Sequence, residues 1–275
     1  MRKPPRLKWH MLRRRKTDAA HLRANLEAAL RARAACEVDL VFTADGHGVC
    51  LHDMTLDRET TGTGPVVLRS RAEVEALRQR ASDGAPLDSA PLFFDELAAE
   101  ARRIGVHDTA LLQLDVKPRL ADIPLGALAR IADVLGNDSG AFVAGGYDWA
   151  AIAAMRAAIP GLHGGFDPLD LYPRRLSHLD ADAFRRIAAH GLTIAPDASI
   201  YYLEARLVLA ALDAGVDLVA MFGAHGAPID AWTIDAGRPD LHAVLTRLIG
   251  AGCRQITTND PETLMPLVEE IAACS

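Results

Sequence analysis

Segments with the pattern of β-strands alternate with segments with the pattern of α-helices along most of this 275-residue chain, and short connections join them. This alternation is typical of parallel β-α-β units, in which each helix carries the chain back to the start of the next strand. The length fits one large α/β domain, since α/β barrels commonly contain about 250 residues. We therefore predict a single TIM (β/α)8 barrel spanning residues 1–275. A doubly wound open sheet is the main alternative, although its dinucleotide-binding form would need a Gly-x-Gly-x-x-Gly motif that does not follow the first strand.

The candidate strands number nine, one more than such a barrel needs. They are residues 7–12, 37–43, 110–116, 141–145, 162–166, 192–195, 217–221, 229–234 and 255–258. Either 192–195 or 217–221 is expected to lie outside the barrel, and the pattern does not distinguish them. A helix is predicted over residues 19–35, with Asp18 as its N-cap. Residues 54–92 interrupt the alternation with turn-forming and charged residues, so we predict a small insertion there, after the second strand.

Two acidic residues stand inside the apolar run of the second predicted strand. Glu37 and Asp39 are two positions apart, so their carboxylates project from the same side of the strand. They repel each other, and a divalent cation bound by oxygen ligands would relieve that repulsion. Asp45 and Gly46 form a strong turn signal, after which a short extended piece would bring His52 back beside the two acids. Spacing alone leaves open an edge hairpin with solvated acids.

A longer pattern surrounds these residues. It reads Glu-x-Asp-x-x-x-Thr-x-Asp-Gly and then Val-x-x-His-Asp-x-x-Leu-x-Arg-x-Thr-x-Gly-x-Gly. The matching positions are Glu37, Asp39, Thr43, Asp45, Gly46, Val49, His52, Asp53, Leu56, Arg58, Thr60, Gly62 and Gly64. The pattern resembles the glycerophosphodiester phosphodiesterase family of the PLC-like phosphodiesterase superfamily. The resemblance covers nearly the whole chain, is strongest over residues 37–64, and implies a barrel whose active residues lie at the C-terminal ends of the strands.

The resemblance implies a metal site and a substrate pocket. Glu37, Asp39 and Asp115 would bind a divalent cation, Mg²⁺ or Ca²⁺, because all three offer oxygen ligands. Lys117 would face the phosphate, and the chain has Asp115 where the family has Glu in its Glu-x-Lys pattern. Trp232 lies in a segment that resembles the family's Trp-Thr-Val-Asn strand and would line the pocket for the alcohol part of the substrate. Simple barrel packing is an equally open interpretation of this tryptophan.

Two histidines are implied as a general acid–base pair. His10 matches the first residue of the family's His-Arg-Gly motif, and His52 belongs to the His-Asp pair; imidazole titrates near neutrality. The motif is degenerate, because Met and Leu follow His10 in place of Arg and Gly. We hypothesise that Arg13, or else Arg14 or Arg15, supplies the missing guanidinium to the phosphate. The other histidines, among them His21, are assigned to the surface or to loops.

Net charge, apolar runs and cysteine spacing limit the kinds of molecule and the compartment that we expect for this protein. The net charge is −6 and the pI is near 5.9, which argues against a general nucleic-acid binder. No apolar run approaches about 18 residues, so no stable membrane insertion is expected. The four cysteines show no metal-binding spacing, and the N-terminal residues do not resemble a signal peptide, so we expect a cytoplasmic protein with free thiols. The oligomeric state is left open.

These features together predict a metal-dependent phosphodiesterase. It would hydrolyse a glycerophosphodiester-type small molecule to a phosphomonoester, such as glycerol 3-phosphate, and an alcohol. One alternative keeps the site but changes the chemistry, to a sugar phosphodiester or phospholipid substrate or to a lyase that releases a cyclic phosphate. The other alternative is a non-catalytic barrel that binds a phosphate ligand.

Overall fold

The computed structural model describes residues 3–274, and within them eight parallel strands close into a barrel. The strands are β1 (Arg6–Trp9), β2 (Ala35–Phe42), β3 (Gly48–Val49), β4 (Leu112–Val116), β5 (Phe142–Gly146), β6 (His163–Phe166), β7 (Ile200–Glu204), β8 (Ile229–Trp232) and β9 (Gln255–Thr258). The order runs β1-β9-β8-β7-β6-β5-β4-β2, and β1 also pairs with β2, which closes the ring. The short β3 lies outside the ring and pairs antiparallel with β2. The predicted TIM barrel is confirmed, and the open sheet is wrong.

Helices cover the outside of the barrel. They are α1 (Arg23–Arg31), α2 (Arg71–Glu75), α3 (Phe94–Ile104), α4 (Ala127–Leu135), α5 (Trp149–Ala158), α6 (Ala181–Ile194), α7 (Ala205–Asp213), α8 (Leu218–Phe222), α9 (Leu241–Ala251) and α10 (Pro261–Cys274). Helix α3 illustrates how the sequence sets their ends. The Glu96 carboxylate accepts a hydrogen bond from the Phe93 amide at the first turn, and the chain leaves the helix at Gly105, which has φ 92°. Its buried face, which includes Phe94 and Leu97, packs on the barrel, and each such side chain contributes about 2 kcal/mol.

Both doubtful strand predictions are wrong. Residues 192–195 belong to the end of α6 and the residue after it, and residues 217–221 form most of α8, where the Asp217 carboxylate caps the helix by accepting from the Ala220 amide at 2.9 Å. The eighth barrel strand is β7, a segment that was not among the nine candidate strands. Its aromatic run at Tyr201 and Tyr202 pairs with β6 and β8. A short apolar run fits a strand and a buried helix equally well, so tertiary pairing decides between them.

The N-cap prediction at Asp18 is also wrong. Helix α1 begins at Arg23 and its N-cap, Leu22, makes no side-chain cap. The Asp18 carboxylate instead accepts from the amides of Arg14 and Arg15 and from the side chain of Asn25. These bonds hold the loop that follows β1.

Residues 54–92 form a layer outside the ring of strands, between β3 and α3. They contain a 3-10 helix, Val66–Leu68, and α2, whose first turn is closed by a capping box between Ser70 and Glu73. In a separate apolar cluster, Leu56, Val66 and Val74 of this layer pack with Val41 of β2 and Val49 of β3. The layer therefore holds the segment that carries His52 against the barrel.

A polar layer crosses the barrel interior. Lys8 Nζ lies 2.7 Å from Asp230 Oδ2, also bonds the Gln113 side chain, and lies 4.4 Å from the centre of the Tyr202 ring. Lys8, Gln113 and Tyr202 line both a cavity of about 310 Å³ at the C-terminal ends of the strands and one of about 190 Å³ at the opposite end. A Cβ on Gly165 would lie 2.4 Å from the Tyr202 ring, so this glycine makes room for the tyrosine. The layer separates the two cavities.

Among the described helices, no single one is long and apolar enough to cross a membrane. The pair formed by Ala205–Asp213 and Leu218–His225 reaches that length and composition only when taken together, and it is bent by 114° at its break.

Candidate active site

The turn after β1 positions the first predicted histidine. The strand ends at Trp9, and a 3-10 helix, His10–Leu12, follows, in which Met11 and Leu12 have φ of 53° and 56°. Residues other than glycine rarely adopt this backbone conformation. It directs the Met11 amide to the Glu37 carboxylate, which accepts its hydrogen bond at 2.7 Å. The turn that carries His10 therefore also holds a predicted metal ligand.

The three predicted metal ligands lie together. Glu37 and Asp39 project from β2, and the register of the sheet places Asp39 beside Asp115 on β4. One oxygen from each of the three carboxylates lies within 4.8 Å of the others. Lys117 Nζ bridges two of them, at 2.6 Å from Asp39 Oδ1 and 2.5 Å from Asp115 Oδ2. The spacing of two residues on each strand thus produces one cluster of acids with a lysine at its edge.

The ionisable groups of this cluster differ in the direction of their pKa shifts. Burial, together with the neighbouring Asp39 and Asp115, raises the pKa of Glu37 well above its ordinary value. Burial alone would also raise the pKa of Asp39, but Lys117 and His21 outweigh it, and the pKa is well below the ordinary value. Burial opposes the charge of Lys117, yet Asp115 and Asp39 raise its pKa well above normal. Three carboxylates face one lysine, so a divalent cation would supply the missing positive charge.

The residues present fit such a cation. Within residues 3–274, Asp39 Oδ1 is a buried oxygen without a hydrogen-bond partner, and its contact with Lys117 is an ion pair that lacks hydrogen-bond alignment. All three side chains offer hard oxygen ligands, which Mg²⁺ and Ca²⁺ prefer. A second group of possible ligands, His52 with Asp53 and Glu59, also has its ligand atoms within 4.8 Å of one another. There Arg58 already neutralises Asp53.

His52 is held by its own loop. Its Nδ1 lies 2.8 Å from Asp53 Oδ1, and Arg58 grips the Asp53 carboxylate with two hydrogen bonds of 2.6 Å. The Glu59 carboxylate accepts from the backbone amides of both His52 and Asp53. Hydrogen bonding by Arg58 lowers the pKa of Asp53 to about 2. The carboxylate beside His52 is therefore ionised throughout the neutral range.

His10 and Arg13 meet at a residue that the motifs did not single out. Asn259 Oδ1 lies 2.8 Å from His10 Nδ1 and accepts from Arg13 Nη1 at 3.2 Å. Arg14 and Arg15 point away and pair with Glu262 on α10. Of the three candidate arginines, Arg13 is the one that the structure brings beside His10, although it does not line the cavity itself.

One cavity collects most of the predicted site residues. The cavity of about 310 Å³ at the C-terminal ends of the strands is lined by His10, Glu37, His52, Asp115, Lys117 and Trp232, among others. Asp167 also lines it; burial raises its pKa well above the ordinary value, with Asp115 adding to the effect. Among the described side chains, Trp232 Nε1 and Asp167 Oδ1 are buried without a hydrogen-bond partner. Asp167 directly follows the predicted strand 162–166, so its position at the C-terminal end of a strand was the signal that could have found it.

His21, which was assigned to the surface or to loops, lies in the loop before α1 but not at the surface. His21 is fully buried, and its Nε2 lies 3.0 Å from Asp39 Oδ2. Its Nδ1 lies 3.7 Å from Glu59 Oε2. The imidazole therefore stands between a predicted metal ligand and the loop that carries His52. A fully buried histidine 18 positions from its partner leaves no periodic pattern in the sequence.

A barrel with acids, a lysine and two histidines in one cavity at the C-terminal ends of its strands defines a TIM-barrel enzyme. The model of the glycerophosphoryl diester phosphodiesterase family matches residues 24–263, and the chain belongs to that family. It is therefore a phosphodiesterase, a hydrolase that acts on phosphodiesters. The predicted resemblance is confirmed.

Solved structures show the same fold. A glycerophosphodiester phosphodiesterase from Parabacteroides distasonis superposes with a TM-score of 0.68 at 15% identity, over 98% of this chain and 100% of that one. A phosphodiesterase from Oleispira antarctica, in complex with the product sn-glycerol-3-phosphate, gives 0.65 at 16% identity, over 97% of each chain. A glycerophosphodiester phosphodiesterase from Agrobacterium tumefaciens gives 0.60 at 18% identity, over 98% and 99%. No curated protein matches the chain.

Proposed function

We propose that the protein is a metal-dependent phosphodiesterase that hydrolyses a glycerophosphodiester-type small molecule to a phosphomonoester, such as glycerol 3-phosphate, and an alcohol. The observation that carries the proposal is that His10 and His52 line the same cavity as Glu37 and Asp115. The related protein from Oleispira antarctica, seen with sn-glycerol-3-phosphate, supports the choice of product. Localisation in the cytoplasm and the single-domain span of residues 1–275 stay predictions.

The acids and the lysine prepare the site for a phosphate. Glu37, Asp39 and Asp115 would hold Mg²⁺ or Ca²⁺, which when bound polarises phosphoryl oxygens and favours a nucleophile at neutral pH. Lys117 lies at the edge of the acids and lines the cavity, where its ammonium can bind an unesterified phosphate oxygen. Positive charge at this point stabilises the oxygens as negative charge develops on them.

The two histidines would exchange the protons. One accepts a proton from the attacking hydroxyl or water, and the other donates a proton to the leaving alkoxide. His52 can donate its Nδ1 proton to Asp53, whose carboxylate lies 2.8 Å away and is held in place by Arg58. Arg13 is our candidate for the missing arginine of the motif, because its guanidinium shares the Asn259 oxygen with His10, although it does not line the cavity. Trp232 offers an apolar wall for the alcohol part of the substrate.

Turnover of defined phosphodiesters tests the proposal. The purified protein is assayed with sn-glycero-3-phosphocholine and bis(p-nitrophenyl) phosphate, with Mg²⁺ or Ca²⁺ and again with EDTA. We expect turnover that EDTA abolishes, and losses of about 10²–10⁴-fold in His10→Ala and His52→Ala. His242→Ala, on the exposed face of α9, is the matched control.

The products separate the alternatives. Phosphorus NMR that shows a linear phosphomonoester supports hydrolysis, whereas a cyclic phosphate would replace it with the lyase. Absence of turnover on a broad panel, with binding of glycerol 3-phosphate retained, would replace the enzyme with the phosphate-binding barrel.

A further inference from the structure

The orientation of the Asn259 side chain follows from its neighbours. Its amide nitrogen lies 2.7 Å from Asp235 Oδ1, and a carboxylate can only accept a hydrogen bond, so the nitrogen must face Asp235. Lys16 Nζ lies 3.3 Å from the other oxygen of Asp235, which favours the ionised carboxylate. Arg13, which can only donate, approaches the amide oxygen at 3.2 Å and confirms the orientation independently. The amide oxygen therefore faces His10.

This orientation fixes where His10 carries its proton. The amide oxygen of Asn259 is an acceptor, and His10 Nδ1 lies 2.8 Å from it, so Nδ1 must donate. In a neutral imidazole, the other nitrogen is then unprotonated. His10 lines the cavity, so Nε2 is the nitrogen that can accept a proton there.

We propose that Asn259 is a positioning residue: its side-chain oxygen holds His10 in the tautomer protonated at Nδ1 and holds Arg13 beside it, so that Nε2 is presented to the phosphodiester. The presentation to substrate rests on the proposed function, whereas the tautomer and the contact with Arg13 do not. Asp235 contributes because its carboxylate accepts a hydrogen bond from the Asn259 amide nitrogen, which leaves the amide oxygen facing His10 and Arg13.

The partner of His10 also differs in charge from that of His52. His52 Nδ1 faces a carboxylate, but His10 Nδ1 faces a neutral amide. An amide fixes the tautomer without stabilising the imidazolium by charge. Burial lowers the pKa of His10, although Asp39 opposes this. The two histidines are thus held by similar geometry in different electrostatic surroundings.

The tautomer is measured directly by long-range ¹H–¹⁵N NMR of protein labelled at its histidine nitrogens, with His10→Gln to identify the His10 signals. In the wild-type protein above the pKa of the ring, we expect the pattern of an imidazole protonated at Nδ1. In Asn259→Leu, we expect that pattern to be lost in favour of the tautomer protonated at Nε2. A wild-type His10 protonated at Nε2, or an unchanged pattern in Asn259→Leu, would overturn the proposal. The test needs no turnover, so it stands apart from the proposed function.

Exchange of the two partners covers the possibility that Asn259→Leu fails to fold. Asn259→Asp places a second carboxylate beside Asp235, and we expect kcat to fall about 10–100-fold. The double variant Asp235→Asn with Asn259→Asp restores a hydrogen-bond donor between the two side chains. We expect its kcat to be at least about tenfold higher than that of Asn259→Asp.

The pH profile separates positioning from a merely structural role. In the double variant a carboxylate replaces the amide beside His10, which raises the pKa of the imidazole. We therefore expect the limb of the kcat/KM profile that reports His10 to move to higher pH by about one unit. A double variant as impaired as Asn259→Asp, or one with the wild-type pH profile, would contradict the role given to Asn259. Inactive wild-type protein would refute the proposed function instead, and the NMR result would still decide the tautomer.

Discussion

The contribution of the ion pair between Arg58 and Asp53, beside the candidate site, to the free energy of unfolding can be measured. The Arg58 guanidinium grips Asp53 through two hydrogen bonds of 2.6 Å and lowers the pKa of that carboxyl from 3.8 to about 2. A change of this size would correspond to about 2.5 kcal/mol if all of it were stability, at roughly 1.4 kcal/mol per pH unit. Arg58 is 54% exposed and Asp53 31%, so solvent screening reduces the expected contribution to about 1 kcal/mol. We predict that Arg58→Met costs about that amount at pH 7.

The dependence on pH has a definite sign. The folded-state pKa of Asp53 is depressed, so its contribution is fully present above the unfolded pKa of about 3.9 and disappears as the pH falls through about 2. Urea unfolding at pH 7, 5, 4 and 3 should therefore show the difference between Arg58→Met and wild type shrinking below pH 4. Arg78→Met is the matched control, because its pair with Asp88 is 60% and 92% exposed and should contribute almost nothing.

The same variant tests the support of His52. Without Arg58, the Asp53 carboxylate loses its two hydrogen bonds and holds Nδ1 of His52 less firmly. We expect kcat/KM to fall about tenfold or more, by analogy with the loss of a residue that orients a functional histidine. Equal stability losses in Arg58→Met and Arg78→Met, or a difference that persists unchanged at pH 3, would refute this reasoning.

Two further perturbations probe the barrel interior and the acidic cluster. Gly165→Ala should destabilise the protein by about 1–3 kcal/mol in urea unfolding, because the new Cβ would lie 2.4 Å from the enclosed Tyr202 ring. Gly164→Ala should cost clearly less, because its new Cβ would lie 2.6 Å from Cδ of the half-buried Arg156, an unbranched side chain that can shift; equal costs would count against the argument. His21→Leu removes the imidazole 3.0 Å from Asp39 and should weaken Mg²⁺ or Ca²⁺ binding about tenfold in calorimetry. Unchanged affinity would show that Asp39 needs no support from His21.

The sequence predicted the parts of the site that depend on regular local geometry. Glu37 and Asp39 lie on one side of β2 because a strand alternates its side chains, and Asp115 and Lys117 repeat the spacing on β4. These four side chains lie at the same end of the barrel because its strands are parallel. His52 came from the motif, although only Gly48–Val49 forms the strand expected before it.

The remaining features depend on contacts between distant parts of the chain. Asn259 is 249 positions from His10, and no local pattern pairs an amide with an imidazole at that distance. His21 looked like any polar residue of a loop until the fold buried it against Asp39. The error at β7 has the same origin, because pairing with β6 and β8 makes a strand of a segment that could also begin a helix.

The layer of Lys8, Gln113 and Tyr202 bears on how the barrel can be redesigned. The same three side chains line the cavity at the C-terminal ends of the strands and the cavity at the opposite end. A substitution in this layer therefore changes the lining of both cavities at once. Trp232 lines the first cavity and not the second, so a smaller residue at that position would enlarge the cavity beside the acids without altering the other end.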